Sequence, residues 1–286
     1  MTTSSTTLWT VGHDGSHGAS NAAKWAVTQA AERDVELVLV RSWQIPAVDV
    51  PLPVESIEDF APTEVSEDFE EFVATARTSG VSVSPRIVCG PPAQTLLDQS
   101  ELGEVLVVGS RGLGGFRRLL LGSVSSQCAT HAQVPTIVVP DAAVIDRPIS
   151  RIVVGLDGSD RSRRALDWAI GFAPDGCAIS VVGAWMPSKS GFTAVAEHYG
   201  RELDHARDRF DEIVGGFEIA SGERKFERRF AFADPATTLL DEASGADLVV
   251  VGKRGHSGLS AAILGSVSTH VLHHSPIPVA VIPDEH

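Results

Sequence analysis

The sequence predicts an α/β fold built twice. Short apolar runs alternate with segments of helical spacing through both halves of the 286 residues. That order implies βαβ units and a mostly parallel sheet in each half. A glycine pattern, Gly109-Ser110-Arg111-Gly112 and then Gly122-Ser123, recurs as Gly252-Lys253-Arg254-Gly255 and then Gly265-Ser266, every position 143 residues on. Asp14-Gly15-Ser16 returns at the same interval as Asp157-Gly158-Ser159, and Trp25 as Trp168. The duplication divides the chain into residues 1–143 and 144–286, each near the commonest domain size.

Composition narrows the chemistry. Hydrophobic residues make up 43% of the chain, enough for a core in each half. The formal net charge is −14, so no bulk positive field draws nucleic acid or an anionic membrane surface. Any phosphate is held by local geometry against that field. Cys89, Cys128 and Cys177 contain no C-x-x-C and fit buried, reduced thiols in a cytoplasmic protein. Residues 1–7 lack the apolar region of a signal peptide and read as a disordered tail. No apolar run approaches the roughly 18 residues of a spanning helix.

In order, Leu8 to Gly12 forms the first strand and stops at the turn cluster His13 to Ser16, which offers a helix cap. Ala19 to Glu32 follows with one apolar face of Ala22, Ala23, Ala26, Val27, Ala30 and Ala31, leaving Lys24, Gln29 and Arg33 off it. Trp25 and Trp168 fall on the inward face of this helix and its repeat. Val35 to Val40 is the second strand. Residues 44–64, with four prolines, form a long loop. Glu64 to Ser79 is a helix and Val81 to Cys89 a strand. A short helix opens at Pro91-Pro92, with Ala93, Leu96 and Leu97 inward. Val105 to Val108 leads into the glycine pattern and a helix to about His131. Val134 to Val139, framed by Pro135 and Pro140, is a fifth strand of edge character. Asp141 to Ser150 links the halves, and the second half repeats the series.

A strand that ends in glycines, with another glycine and a hydroxyl opening the next helix, is how a backbone wraps an anion. Glycine lets the chain approach a phosphate closely. Free N–H groups and the positive end of the helix then point at it. Gly-x2-Gly-x9-Gly-Ser, present twice, resembles the ATP-binding signature of the universal stress protein family, over nearly the whole chain. The resemblance implies two open five-stranded parallel sheets of strand order 3-2-1-4-5, an adenine nucleotide alpha hydrolase-like fold. Strands one and four then lead away in opposite directions, and their carboxyl ends form a switch-point crevice. Asp14 and the Gly109 loop converge on one such crevice, and Asp157 and the Gly252 loop on the other.

Each candidate has a bland reading beside the functional one. Gly109 and Gly112, like Gly252 and Gly255, either cradle phosphate or form a turn that needs positive φ. Ser123 and Ser266 either donate to a phosphate oxygen or cap the helix. Asp14 and Asp157 either meet the ribose or metal–phosphate region, as the resemblance implies, or cap the first helix. Gly12 and Gly155 precede them, where backbone would lie along the nucleotide. Arg111 and Arg254 either neutralise phosphate or are solvated loop arginines. Arg117 and Arg118 have Ser260 and Ala261 as counterparts, so the first site would bind a triphosphate more tightly if they reach it. The resemblance places adenine against main chain at Ser42 and Ala184. It adds Val108, Ser110, Gly114, Gly122 and Val124 to the first binding set. To the second it adds Val251, Lys253, Gly265 and Val267, with His256 at the mouth. The helical spacing of His270, His273 and His274 is not shared by the first half and lacks a carboxylate partner, so a helix-end cluster outweighs a metal site.

No Walker lysine, G-x-S-x-G elbow or base–nucleophile pair is present. The expectation is therefore an ATP-binding stress-response regulatory protein without catalytic residues, one nucleotide per half, with Mg²⁺ as an accompanying ion. Occupancy would act on assembly or partner choice. The alternatives are a slow ATPase or nucleotidyl transferase in the same crevice, and an interaction protein with degenerate sites, which the intact spacing opposes. The fifth strands would be apolar edges if each domain stood alone. Single-domain relatives dimerise there, so the resemblance implies an intrachain pseudo-dimer of the two halves and leaves a homodimer of whole chains open.

Overall fold

The computed structural model describes residues 7–44, 67–113, 121–186, 196–221, 224–255 and 263–284. The chain forms two compact units, Met1–Pro148 and Ile149–His286. The first contains β1 (Thr7–Gly12), α1 (His17–Ala30), β2 (Val35–Trp43), α2 (Glu67–Thr78), β3 (Ser82–Cys89), α3 (Pro92–Ser100), β4 (Val105–Gly109), α4 (Ser123–His131) and β5 (Thr136–Val139). Within it the strands run parallel in the order β3-β2-β1-β4-β5. The second contains β6 (Arg151–Gly155), α5 (Asp160–Phe172), β7 (Ala178–Ala184), α6 (Ala196–Ser221), β8 (Phe226–Ala231), α7 (Pro235–Ala243), β9 (Leu248–Gly252), α8 (Ser266–His274) and β10 (Val279–Ile282). Its order is β8-β7-β6-β9-β10, again parallel. Both units thus show the 3-2-1-4-5 order.

The central strands are apolar without alternation because helices cover both faces. Val105, Leu106, Val107 and Val108 are all buried, as are Leu248 to Val251. α1 begins where Ser16 takes an extended conformation and its hydroxyl accepts from the Ala19 N–H; Ser159 does the same for α5. α7 is capped by Asp234. Among the described residues no helix is long and apolar enough to cross a membrane.

Three details depart from the sequence reading. Gln29, placed off the apolar face of α1, is fully buried, because its Nε2 donates to the Arg147 carbonyl at 3.1 Å. With Thr28 donating to the Ile145 carbonyl, it pins the first part of the linker onto α1. Trp25 is 1% exposed and stacks on Trp9, but Trp168 is only half-buried and stacks on Phe172 along its own helix. Cys128 and Cys177 are buried as expected, whereas Cys89, at the end of β3, is exposed. Burial pushes the Cys128 thiol up to about 12, which leaves it unreactive.

The tryptophan contrast is testable by equilibrium urea unfolding followed by far-ultraviolet circular dichroism. Trp25→Ala should destabilise the first unit by about 3–5 kcal/mol, the usual cost of emptying a core aromatic site. Trp168→Ala should cost the second unit distinctly less; equal losses would show that Trp168 carries core packing after all.

Candidate nucleotide crevice

In each unit the crevice is built from two loops at the carboxyl ends of adjacent strands. β1 and β4 pair directly, Val11 opposite Val107. One backbone hydrogen bond closes the glycine loop: the Gly122 N–H donates to the Ser110 carbonyl at 2.7 Å. The Ser125 hydroxyl donates to the same carbonyl at 2.9 Å, and the Ser110 N–H ties the loop to Val139 at 2.8 Å. The second unit repeats this. The Gly265 N–H donates to the Lys253 carbonyl at 2.9 Å, and the Lys253 N–H to Ile282 at 2.8 Å. There the Ser268 hydroxyl donates to Gly252 at 2.7 Å.

The glycines are required by close approach. None of Gly109, Gly112, Gly122, Gly252, Gly255 and Gly265 has positive φ; Gly15 and Gly158, in the preceding turns, do. A β-carbon on Gly109 would lie 2.6 Å from the Gly18 carbonyl carbon. One on Gly112 would overlap Asp14 Oδ2, and one on Gly255 would overlap Asp157 Oδ2. The positive-φ reading of these positions is therefore set aside.

Asp14 does not cap α1; Ser16 does. The exposed Asp14 carboxylate bridges the two loops instead. Its Oδ1 accepts from the Ser16 N–H at 3.0 Å and its Oδ2 from the Leu113 N–H at 3.0 Å. Asp157 Oδ1 likewise accepts from the Ser159 N–H at 2.9 Å and the Ser159 hydroxyl at 2.6 Å. Ser123 and Ser266 are not caps either. They are the first helical residues of α4 and α8, both exposed, and the caps are Gly122 and Gly265, which make no side-chain hydrogen bond. First-turn amides have no intrahelical acceptor, so both helix starts lack the side-chain lid that Ser16, Ser159 and Asp234 give to α1, α5 and α7. Val124 and Val267 follow, half-buried.

Arg111 and Arg254 are neither solvated nor open to a ligand in full. Arg111 Nη2 pairs with Asp141, and Arg254 Nη2 with Asp284 at 3.2 Å. Arg111 keeps 40% side-chain exposure, while Arg254 keeps 9% and also donates through Nε to the Ile263 carbonyl at 3.1 Å. These aspartates were missed in the sequence. Their signal is Pro140-Asp141 and Pro283-Asp284, which stand 143 residues apart just beyond the fifth strand of each half.

The remaining candidates lie as follows. Gly12 and Gly155 end or nearly end β1 and β6, and their missing side chains make room for Leu96 and Leu239; a β-carbon on Gly12 would lie 2.9 Å from Leu96 Cδ1. Val108 and Val251 are buried inside β4 and β9. Ser42 and Ala184 sit half-buried at the ends of β2 and β7. Lys253 is 8% exposed, and burial, then the charge of Arg254, lowers its pKa. Gly114, Arg117, Arg118, His256, Ser260 and Ala261 lie outside the described residues, as does most of the proline-rich 44–64 segment. A separate groove of about 410 Å³, lined by Gln94, Asp98, Glu101, Gln127 and His131 among others, lies between α3 and α4.

Residues 10–140 and 148–283 each match the Universal stress protein family model. The chain belongs to the universal stress protein family. It is 30% identical to a universal stress protein of Mycolicibacterium smegmatis over 284 residues, 95% of each chain. It is 32% identical to one of Mycobacterium tuberculosis over 290 residues, again 95% of each. A universal stress protein from Archaeoglobus fulgidus has the same fold, with a TM-score of 0.67 at 20% identity, covering 98% of this chain and 99% of that one.

In this universal stress protein the histidine trio ends α8. His270 and His274 stack with ring centroids 4.3 Å apart, and the His274 Nδ1 lies 2.9 Å from the His270 carbonyl. Burial, then the charges of His274 and His270, holds the His273 pKa below its ordinary 6.5. The unfolded chain therefore takes up this proton first as pH falls. Stability present above pH 6.5 is lost on acidification through the folded value. The melting temperature of the second unit should fall between neutral and mildly acidic pH, and His273→Asn should flatten that slope; parallel slopes would remove the effect.

The loop bridge gives a second measurement. Gly112→Ala pushes the Asp14 carboxylate off the Leu113 N–H and should cost about 1 kcal/mol. With Asp14→Ala already in place, the same glycine change should cost much less. A double-mutant cycle in urea reads the coupling, and additive losses would mean the two residues do not act together.

Proposed function

We propose that each unit holds one adenine nucleotide, ATP, in its crevice, and that occupancy alters assembly or partner choice without rapid turnover. The observation that carries this reading is the pair of glycine-capped helix starts. Each lacks a side-chain cap, each opens at a switch point, and each is closed by the same backbone hydrogen bond to the strand-four loop. Exposed hydroxyls of Ser123 and Ser266 add donors at the same place. Asp14 and Asp157, exposed in the turn after strand one, are the acceptors for ribose hydroxyls. Both Asp14 oxygens already accept amide hydrogen bonds, so a Mg²⁺ would arrive with the phosphates and not in a preformed protein cage.

The test is mass spectrometry of small molecules released from purified protein on denaturation, with calorimetric titration of ATP. An adenine nucleotide is the expected release. Ser123→Asp with Ser266→Asp should abolish binding and leave the melting temperature intact, because a carboxylate in the first turn favours the helix yet repels phosphate. Wild-type ATP affinity in that double variant would count against the site. Steady hydrolysis that Asp14→Ala abolishes would select turnover instead.

A further inference from the structure

The two crevices differ at one position that the repeat makes plain. Asp141 and Asp284 occupy matching sites just past β5 and β10. Asp141 pairs with Arg111 through Oδ2, while its Oδ1, like Asp284 Oδ1, is buried without a hydrogen bond. That oxygen faces Gly18, where a β-carbon would lie 2.7 Å from it. In the second unit Arg161 stands at the place of Gly18. Its Nε lies 2.7 Å from Asp284 Oδ1, and its Nη1 donates to the Gly255 carbonyl at 3.4 Å. One carboxylate therefore serves two guanidiniums, Arg161 and Arg254, where Asp141 serves Arg111.

More positive charge gathers at the same loops. Lys253 replaces Ser110, and Arg209 donates from α6 to the Gly158 carbonyl at 3.1 Å, next to Asp157. Around the second crevice Arg161, Arg209, Lys253 and Arg254 face Asp157, Asp160 and Asp284. Around the first, Arg111 faces Asp14 and Asp141. Among the described residues the second is left with surplus cation at an anion cradle, the first with surplus carboxylate.

We propose that Arg161 is a specificity-determining residue that makes the second unit the polyphosphate site. Its crevice selects a nucleoside triphosphate over the monophosphate, and the first crevice discriminates less. This rests on the nucleotide reading above. Each added phosphate brings charge that the guanidinium pair meets with what Asp284 leaves over. Arg161 sits in the first turn of α5 and is already held at Asp284 and Gly255, so little ordering cost attends its use. The sequence expectation from Arg117 and Arg118 points the other way, and one titration decides between them.

The experiment uses the full chain with chelator present. Ser123→Asp leaves the second crevice, Ser266→Asp the first, and each is titrated with ATP and with AMP. The ATP-to-AMP affinity ratio should be about tenfold larger in the second crevice, a difference of about 1.4 kcal/mol. Arg161→Gln should remove most of that ratio, leave AMP affinity unchanged, and spare the melting temperature; Arg161→Lys should restore part of it. Added salt should shrink the ratio. Equal ratios, a larger ratio in the first crevice, or equal weakening of ATP and AMP by Arg161→Gln would each overturn the proposal. If an aspartate fails to silence its crevice, Arg161→Gln in the otherwise unaltered chain still decides, since unchanged ATP binding there also overturns it. Wild-type protein that binds neither nucleotide overturns the nucleotide reading itself.

Discussion

In each crevice a carboxylate rests against an α-carbon that bears no side chain, and in the first it ties the two loops together. Asp14 reaches from the turn after β1 to the amide of Leu113 in the loop after β4, and it passes over Gly112 to do so. Asp157 lies over Gly255 in the same way. Any β-carbon at either glycine would take the space that the carboxylate occupies. The separation of the two loops is thereby set by one short side chain and one absence, and everything that lines the crevice inherits that separation.

The helix caps follow from the same economy of side chains. At α1, α5 and α7 a serine or aspartate cap satisfies a first-turn amide, as Ser16, Ser159 and Asp234 do. At α4 and α8 the cap is glycine and no side chain intervenes. A glycine cap costs a helix only a few tenths of a kcal/mol relative to a good one, so leaving these amides available is cheap. The loop-closing bond from Gly122 to Ser110 then fixes where they point.

What the sequence disclosed, and what it withheld, divides along that line. The glycine spacing was legible because backbone approach tolerates no substitute and leaves the same residue type in both copies. The strand order followed from the family likeness and from apolar runs with helix-length connections. The cause of the glycines was not legible: φ and close approach leave the same letter in a sequence, and only coordinates separate them. Gln29 was misplaced because a buried amide needs one carbonyl partner, and Arg147 lies 118 residues away. Trp168 was assigned inward by its repeat partner, yet burial depends on neighbours that the two units do not share. The Arg111–Asp141 and Arg254–Asp284 pairs had a signal in the Pro-Asp steps, but a carboxylate just past a strand has no reason to be read as an arginine's partner until the chain is folded.

The repeat keeps what sterics demand and lets charge diverge. A β-carbon on Gly109 would lie 2.7 Å from the Gly18 carbonyl oxygen, whereas one on Gly252 would lie 3.3 Å from the Arg161 carbonyl oxygen, with a full arginine on the other side of that contact. With that looser crossing Arg161 leaves the helix start toward Asp284 and donates to the Gly255 carbonyl of the loop. In the first unit a β-carbon at Gly18 would lie 2.6 Å from the Arg111 carbonyl, so the same residue could not be accommodated without moving the loop. A difference of well under an ångström in how two backbones cross thus decides whether a cation stands beside the glycine loop, and the electrostatic character of each crevice follows from that packing step.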